Sequence, residues 1–426
     1  MARERADRRP LLIVVSSLSR SSREPFFESV AERYRIWLFQ GGPGRAEIVD
    51  WELPYVVGHT VVDTLDATAM LSAARRLEQE EEISGIVCYD EARIEASAEL
   101  AAALGLPTTP REAITRCRDK HATRQALAAA GVSQARSVAV RCVQEAAEVA
   151  ARLGYPVVLK PRRMAASFGV SRVDDPAKLE WAYQHARGIT LPEVLEYDED
   201  GVLVEEYLEG PEISVDSACF DGEVVPLAIA HKESGFAPAF EEIGHFVNAS
   251  DPLLDDPQLH RVVRATHEAL GFHTGITHLE LKLTPAGMKV IELNGRSGGD
   301  LIPYLGQLAN GVDHSLVNAA IACGRRPDLQ PRHRRFAGTR FCYLDREQVV
   351  SSVRIERAML PPEIDRALVL VEPGQRVLLP PNGSAWECRV AQLVAVADTE
   401  SVCRAALEAA AKAVIVEPSD KGQVAS

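Results

Sequence analysis

The stretch His278–Asp300, HLELKLTPAGMKVIELNGRSGGD, decides how the rest of the chain is read. Its first half alternates: His278, Glu280, Lys282 and Thr284 point one way, and Leu279, Leu281 and Leu283 the other. That is the period of a half-buried strand. Pro285-Ala286-Gly287 supplies a turn, and MKVIELN alternates again, with Val290, Glu292 and Asn294 on one face and Ile291 and Leu293 on the other. Two such runs across a short turn predict a β-hairpin with Glu280, Glu292 and Asn294 on a common face. Two carboxylates and an amide oxygen suit a hard cation such as Mg²⁺, which usually completes its shell with phosphate oxygens and water. Arg296 follows at once, a planar fork suited to a phosphate or carboxylate. Gly298-Gly299 lets the backbone approach a ligand.

Composition bounds the alternatives. The chain has 426 residues, enough for two to four domains, and is 46% apolar and 25% charged, as in a globular protein. A formal net charge of −14 argues against a nucleic-acid backbone as the main partner. No run reaches the length of a membrane span. LLIVV near the N-terminus reads as a buried first strand rather than a signal peptide. The eight cysteines are scattered without a Cys-x-x-Cys pair, which predicts small buried residues in a reducing cytoplasm.

Along the chain, LLIVV (11–15) and GIVCY (85–89) suit parallel strands of an open α/β unit, with helices at AMLSAARRLEQEEE and ASAELAAALGLP. Gly41-Gly42-Pro43-Gly44 lacks the spacing of a dinucleotide loop and is a weak phosphate candidate. CRDKHATRQALAAAGV predicts a helix with Lys120 and Arg124 one turn apart, a pairing usually found on a solvated face. YPVVLKPRR is an apolar β-type run ending in Lys160, and the small-residue loop Arg162–Gly169 after it is able to fold its N–H groups over phosphates. VLVEEYLEGPEISVDSACF (202–220) holds two strands around Gly210-Pro211, and EVVPLAIAHK continues the sheet. In GFAPAFEEIGHFVNAS, Glu242 and His245 form Glu-x-x-His; the spacing fits one helical face, and Gly244 makes a loop equally plausible.

This order of motifs closely resembles the ATP-grasp superfamily: a lysine in a helix, then V-V-L-K-P with a flexible loop, E-E-Y-L-x-G-x-E, and the Glu…Glu-x-Asn-x-Arg hairpin. The loop departs from the usual glycine- and serine-rich pattern. The resemblance implies an α/β (α+β) architecture. Residues 1–115 would form a preceding α/β domain, and 116–325 the ATP-grasp domain, with a lid over 116–200 and a catalytic part over 201–325. Residues 326–426 resemble the small C-terminal domain of the L-amino-acid ligase branch.

The resemblance also implies roles. Lys120, Lys160, Ser167 and Gly169 would contact the phosphates of ATP. Glu205, Glu206, Tyr207 and Leu208 would frame the adenine, and Glu212 would hold the ribose hydroxyls. Glu280, Glu292 and Asn294 would bind Mg²⁺, with Mn²⁺ as an alternative. Glu242, His245, Arg296, Gly299 and Asp300 would line the substrate site, with Arg296, Glu242 and His245 closest to the chemistry. Either Glu242 or His245 would take the proton of the attacking ammonium, a histidine near its ordinary pKa of about 6.5 being able to do so near neutral pH. Asp300 would either pair with a basic group of the substrate or cap the helix LIPYLGQLAN. The implied activity is ATP-dependent joining of an amino acid's carboxylate to an amine through an acyl phosphate. The alternatives are a carboxylate–amine ligase of purine or cofactor synthesis, or a non-catalytic nucleotide-binding protein, which the undamaged metal hairpin disfavours. Expected partners are small amino-acid or amine substrates, with no nucleic acid and no membrane, in a cytoplasmic chain for which a homodimer is one option.

Overall fold

The computed structural model describes residues 7–42, 48–164, 167–188, 201–237, 239–380 and 382–419. The Gly41-Gly42-Pro43-Gly44 candidate therefore lies partly outside the described residues, as do positions 165 and 166 of the small-residue loop. The chain begins with a parallel sheet in the order Val56–Val61, Arg35–Gln40, Leu11–Val15, Ile83–Cys88. Leu11–Val15 is buried at every position because helices cover both faces, which explains its unbroken apolar run. The chain winds to one side of this strand for two strands and returns to its other side for the fourth. The carboxyl ends of Leu11–Val15 and Ile83–Cys88 therefore flank a topological switch point, where open α/β sheets form their ligand crevice.

A four-stranded antiparallel sheet follows, in the order Ser137–Val140, Val202–Glu206, Val157–Pro161, Ser171–Val173. Helices Val143–Leu153 and Leu179–Gly188 bury their apolar faces against it. Val202–Glu206 belongs to this sheet although it lies past the division expected at 200/201. The helix expected from Cys117 is two helices, Arg111–Arg118 and Lys120–Ala129. Asp119 breaks them and caps the second, its side chain accepting from the N–H groups of His121 and Ala122. Lys120 and Arg124 are buried rather than solvated.

The largest sheet has eight antiparallel strands: Gly287–Asn294, Gly275–Thr284, Glu212–Phe220, Glu223–Gly235, Glu241–Asn248, Phe336–Tyr343, Arg389–Ala397 and Ile364–Val369. Its last three members come from beyond residue 325. The sheet crosses the expected boundary of the C-terminal region, because Phe336–Tyr343 pairs directly with Glu241–Asn248. Leu279, Leu281, Val290 and Leu293 of the hairpin pack with helix Pro257–Leu270 and with Ile94 and Ala98 of the first unit. One apolar cluster thus ties the hairpin to the α/β unit.

Candidate active site

The hairpin forms across Pro285-Ala286 with Glu280 opposite Glu292 and His278 opposite Asn294, which puts all four on one face. The register slips at Ile291, a β-bulge, so Leu281 faces Val290. Val290 is therefore fully buried with the leucines, not beside Glu292 as strict alternation predicted. Glu280 accepts an ion pair from Lys232 at 2.9 Å and lies 3.4 Å from His278 Nε2. Glu292 is paired with Lys120 at 2.9 Å. Two carboxylates in direct register, with an amide beside them and a buried cation balancing each, form a donor set that fits a hard divalent ion.

Lys232, passed over in the sequence, is central. Its side chain is 3% exposed, and its ammonium meets Glu242 at 2.9 Å, Glu280 at 2.9 Å and Glu212 at 3.2 Å. Burial alone would push its pKa down, but the three carboxylates outweigh that and raise it well above the ordinary lysine value. Beneath the hairpin, Asp216 is fully buried and accepts from His278 Nδ1 at 2.7 Å, with His314 at 3.5 Å. Burial would lower the His278 pKa; hydrogen bonds to Asp216 and Glu280 overcome it and raise it to about 9. Gly298 is required by this imidazole: a Cβ there would stand 2.8 Å from His278 Nδ1. A Cβ at Gly299 would meet nothing within 4 Å, so of the two glycines it is Gly299 that faces open space.

On the four-stranded sheet, Lys160 pairs with Glu205 at 2.6 Å, and Arg124 grips the same carboxylate at 2.8 and 3.1 Å. Burial would raise the Glu205 pKa, but the two cations hold it at about 2. The Glu205 carboxylate is thus the counter-ion of Lys160 rather than a free acceptor. Glu206 is held by Arg136 at 2.6 Å and Lys289 at 2.7 Å. Tyr207 stacks under Arg172 at 4.2 Å, and Leu208 is half-buried in the crossing between the two sheets. Lys120 also donates to the carbonyl of Met164. Ser167 (φ 57°) and Gly169 (φ 72°) shape a turn closed by the Val170 N–H on the Ser167 carbonyl, and Phe168 packs on Trp386 with ring centroids 5.2 Å apart.

Glu242 and His245 lie neither on a helix nor in a loop but on the strand Glu241–Asn248. Strand residues three apart normally point to opposite faces. A bulge at Ile243, where Glu242 faces Ser234 and Gly244 faces Glu233, returns them to one face, with His245 Nε2 3.1 Å from Glu242. Asp300 stands 3.5 Å from the same nitrogen. Burial would lower the His245 pKa, but Glu242 and Asp300 raise it, so the imidazole keeps its proton more firmly than a free histidine. Asp300 does not cap the following helix; Leu301 (φ 64°) occupies that position without a side-chain cap. Its carboxylate oxygens instead accept from Arg389 Nη1 at 2.9 and 3.0 Å. Arg389 also reaches Glu241 at 3.2 Å and covers the Phe341 ring at 3.7 Å. Arg296 pairs with Glu91 at 2.6 Å, from the loop after Ile83–Cys88. Glu91 and Arg389 carried no local sequence signal.

A family model described as an ATP-grasp domain matches residues 153–303. The uncharacterized protein y4rH of Sinorhizobium fredii is 30% identical over 357 residues, which cover 83% of this chain and 72% of that protein. The chain belongs to the ATP-grasp family. Alanine–anticapsin ligase of Bacillus subtilis is 27% identical over 271 residues, 58% of this ATP-grasp chain and 56% of that ligase, so the chain spans little more than half of that relative's length. The crystal structure of L-amino acid ligase from Bacillus licheniformis superposes with a TM-score of 0.79 at 22% identity, over 97% of this chain and 100% of that one, a shared fold. Among the described residues, no helix is long and apolar enough to cross a membrane.

Proposed function

We propose that this ATP-grasp protein is a carboxylate–amine ligase that joins two amino acids, or an amino acid and another amine, with release of ADP and phosphate. The observation that carries the reading is Lys232. Its ammonium touches Glu212, Glu242 and Glu280 at once, so the candidate nucleotide, substrate and metal carboxylates form one continuous site.

In this reading a carboxylate oxygen of the first amino acid attacks the γ-phosphorus of ATP, and the bond to ADP breaks. The resulting acyl phosphate is attacked at carbon by the amine of the second substrate, and phosphate leaves with its bonding electron pair. Lys120 and Lys160 hold phosphate oxygens as compact point charges. ATP would draw Lys160 from Glu205, which Arg124 continues to neutralise. Glu212 accepts from the ribose hydroxyls, and main-chain groups at Tyr207 and Leu208 meet the adenine edge. Mg²⁺ held by Glu280, Glu292 and Asn294 would neutralise charge on the transferred phosphoryl group. Arg296 binds the reacting carboxylate and then the oxyanion of the tetrahedral intermediate. Glu242 and Asp300 offer acceptors to a substrate ammonium, and Glu242 takes the proton that the amine loses as it attacks and passes it to the departing phosphate. His245, with its raised pKa, serves better as a positioned cation than as the proton acceptor that an ordinary histidine would be.

The test is a pairwise amino-acid screen with phosphate release as readout and mass spectrometry of products. ADP with phosphate, and an acyl hydroxamate when hydroxylamine replaces the amine, is the expected outcome. AMP with pyrophosphate would replace the acyl phosphate by an adenylate. ADP release with other amines but with no amino acid would point to a different carboxylate–amine ligase.

A further inference from the structure

The first α/β unit carries a feature that the roles above leave unused. Arg23, in the helix Arg20–Arg33, stands at the carboxyl end of Leu11–Val15, on the switch-point crevice. Its guanidinium lies 4.3 Å from the centroid of the Tyr89 ring, at the end of the neighbouring strand. The residue is half-buried, but its Nε is cut off from solvent, and among the described residues that Nε donates to nothing and no carboxylate forms an ion pair with the guanidinium. Other arginines deep in the fold each have a carboxylate: Arg93 has Asp90, Arg124 has Glu205, Arg296 has Glu91 and Arg389 has Asp300. A ring face compensates only part of the hydration that a guanidinium loses.

The surroundings make this lone charge more conspicuous. Burial pushes the Arg23 pKa down, and Arg296 lies close enough to push it further in the same direction. Glu91, the carboxylate between the two units, is shared by Arg296 at 2.6 Å and Arg118 at 3.6 Å. Arg118 also takes Glu95 at 3.0 Å, so both carboxylates here are engaged by other arginines and neither is left to pair with Arg23. Arg23 also lines a cavity of about 30 Å³ with Ser22, Leu301, Tyr304 and Gln307, just beyond that turn. The backbone leading to it is strained, with Ser16 at φ 64° and Leu18 at φ 57°, neither of them glycine.

We propose that Arg23 binds the α-carboxylate of the amine-donating amino acid, so that the α/β unit supplies the recognition of the second substrate. This rests on the ligase reading above. A ligase needs two separate anion sites: Arg296 serves the carboxylate that is activated, and the other carboxylate must be held without being activated. An unpaired guanidinium beyond the Arg296–Asp300 turn meets that need, and its fork suits a carboxylate. Hydroxylamine, which lacks a carboxylate, would not use it.

The experiment compares each amino acid accepted as amine donor with its own α-amide, in wild type and Arg23→Gln, alongside hydroxylamine-dependent ADP release. Wild type is expected to favour the acid at least tenfold in kcat/KM. Arg23→Gln should raise KM for the acid tenfold or more, leave the amide unchanged and leave hydroxylamine-dependent ADP release unchanged. Arg23→Lys, which keeps the charge but not the fork, should fall between the two. Melting curves check folding; Arg23→Gln loses the contact with the Tyr89 ring but no ion pair, so its midpoint should stay within a few degrees of wild type. An Arg23→Gln enzyme that retains the acid-over-amide preference would overturn the proposal while leaving the ligase reading intact. A wild type that ligates no amino acid would remove the ligase reading, and this inference with it.

Discussion

Replacing Lys232 by methionine keeps most of the side chain's volume and removes its charge. The Glu242 and Glu280 oxygens each lie 2.9 Å from the ammonium, so they are no further apart than twice that distance. At that spacing and an effective dielectric of about 20, two carboxylates repel by roughly 3 kcal/mol. Glu212, at 3.2 Å from the same nitrogen, adds comparable pairs. The full repulsion will not be expressed, because the carboxylates escape it by taking up protons. The net loss should approach what breaking a buried ion pair costs, about 3–5 kcal/mol. The pH dependence follows from the sign of the shifts. In wild type, Lys232 holds Glu242 and Glu280 well below the ordinary carboxylate range, against the opposing effect of burial. In Lys232→Met their pKa values would lie above the unfolded value. Such groups contribute stability at low pH that is lost as pH rises through the folded pKa. The variant's deficit should therefore be larger at pH 8 than at pH 5. Calorimetric melting without nucleotide or Mg²⁺ measures it, and the expected fall at pH 8 is roughly 4–6 °C. Midpoints within a degree of wild type at both pH values would show that Lys232 is not the charge that holds these carboxylates together.

Glu292→Gln keeps a hydrogen-bond acceptor for the buried Lys120, so it should fold with a smaller loss than alanine, which would leave that ammonium unpaired at a cost of about 3–5 kcal/mol, and it should lower turnover by at least about a hundredfold; near-normal activity in a folded variant would remove Glu292 from the metal site. Lys160→Ala leaves the Arg124–Glu205 pair in place, so nucleotide affinity measured by calorimetry should fall about tenfold to a hundredfold. Unchanged affinity would refute the phosphate role. His267 is buried with Nδ1 on the Val263 carbonyl and Nε2 on Thr277, and burial lowers its pKa to about 4. The folded state thus resists a proton that the unfolded state takes up below about 6.5. Wild-type stability should fall by about 3 kcal/mol as pH drops from 6.5 to 4, and His267→Gln should lose that part of the slope in denaturant titrations; an unchanged slope would assign it elsewhere.

Much of the candidate site is visible in local sequence. The outward placement of Glu280 on one strand, and of Glu292 and Asn294 on the next, follows from a two-residue period that each strand carries by itself; their common face also needs the register of the hairpin. Lys160 ends an apolar strand where the chain leaves the core, and that position too is local. Two bulges were not readable, because a bulge is defined by how many residues the partner strand sets opposite. The one at Ile291 turns Val290 into the core, and the one at Ile243 brings Glu242 and His245 together without a helix. Ion pairs were the other gap. Lys232 shares a sheet with Glu212, Glu242 and Glu280 only because four strands are laid side by side in an order the sequence does not state. Asp300 meets Arg389 because a strand from beyond the expected boundary joins the same sheet. Where a strand runs without a bulge, the sequence by itself determined which residue types sit on which face, since side-chain alternation is a property of a single extended chain. The tertiary structure alone decided which charges neutralise one another, since that depends on distances between segments that only the completed sheets bring together.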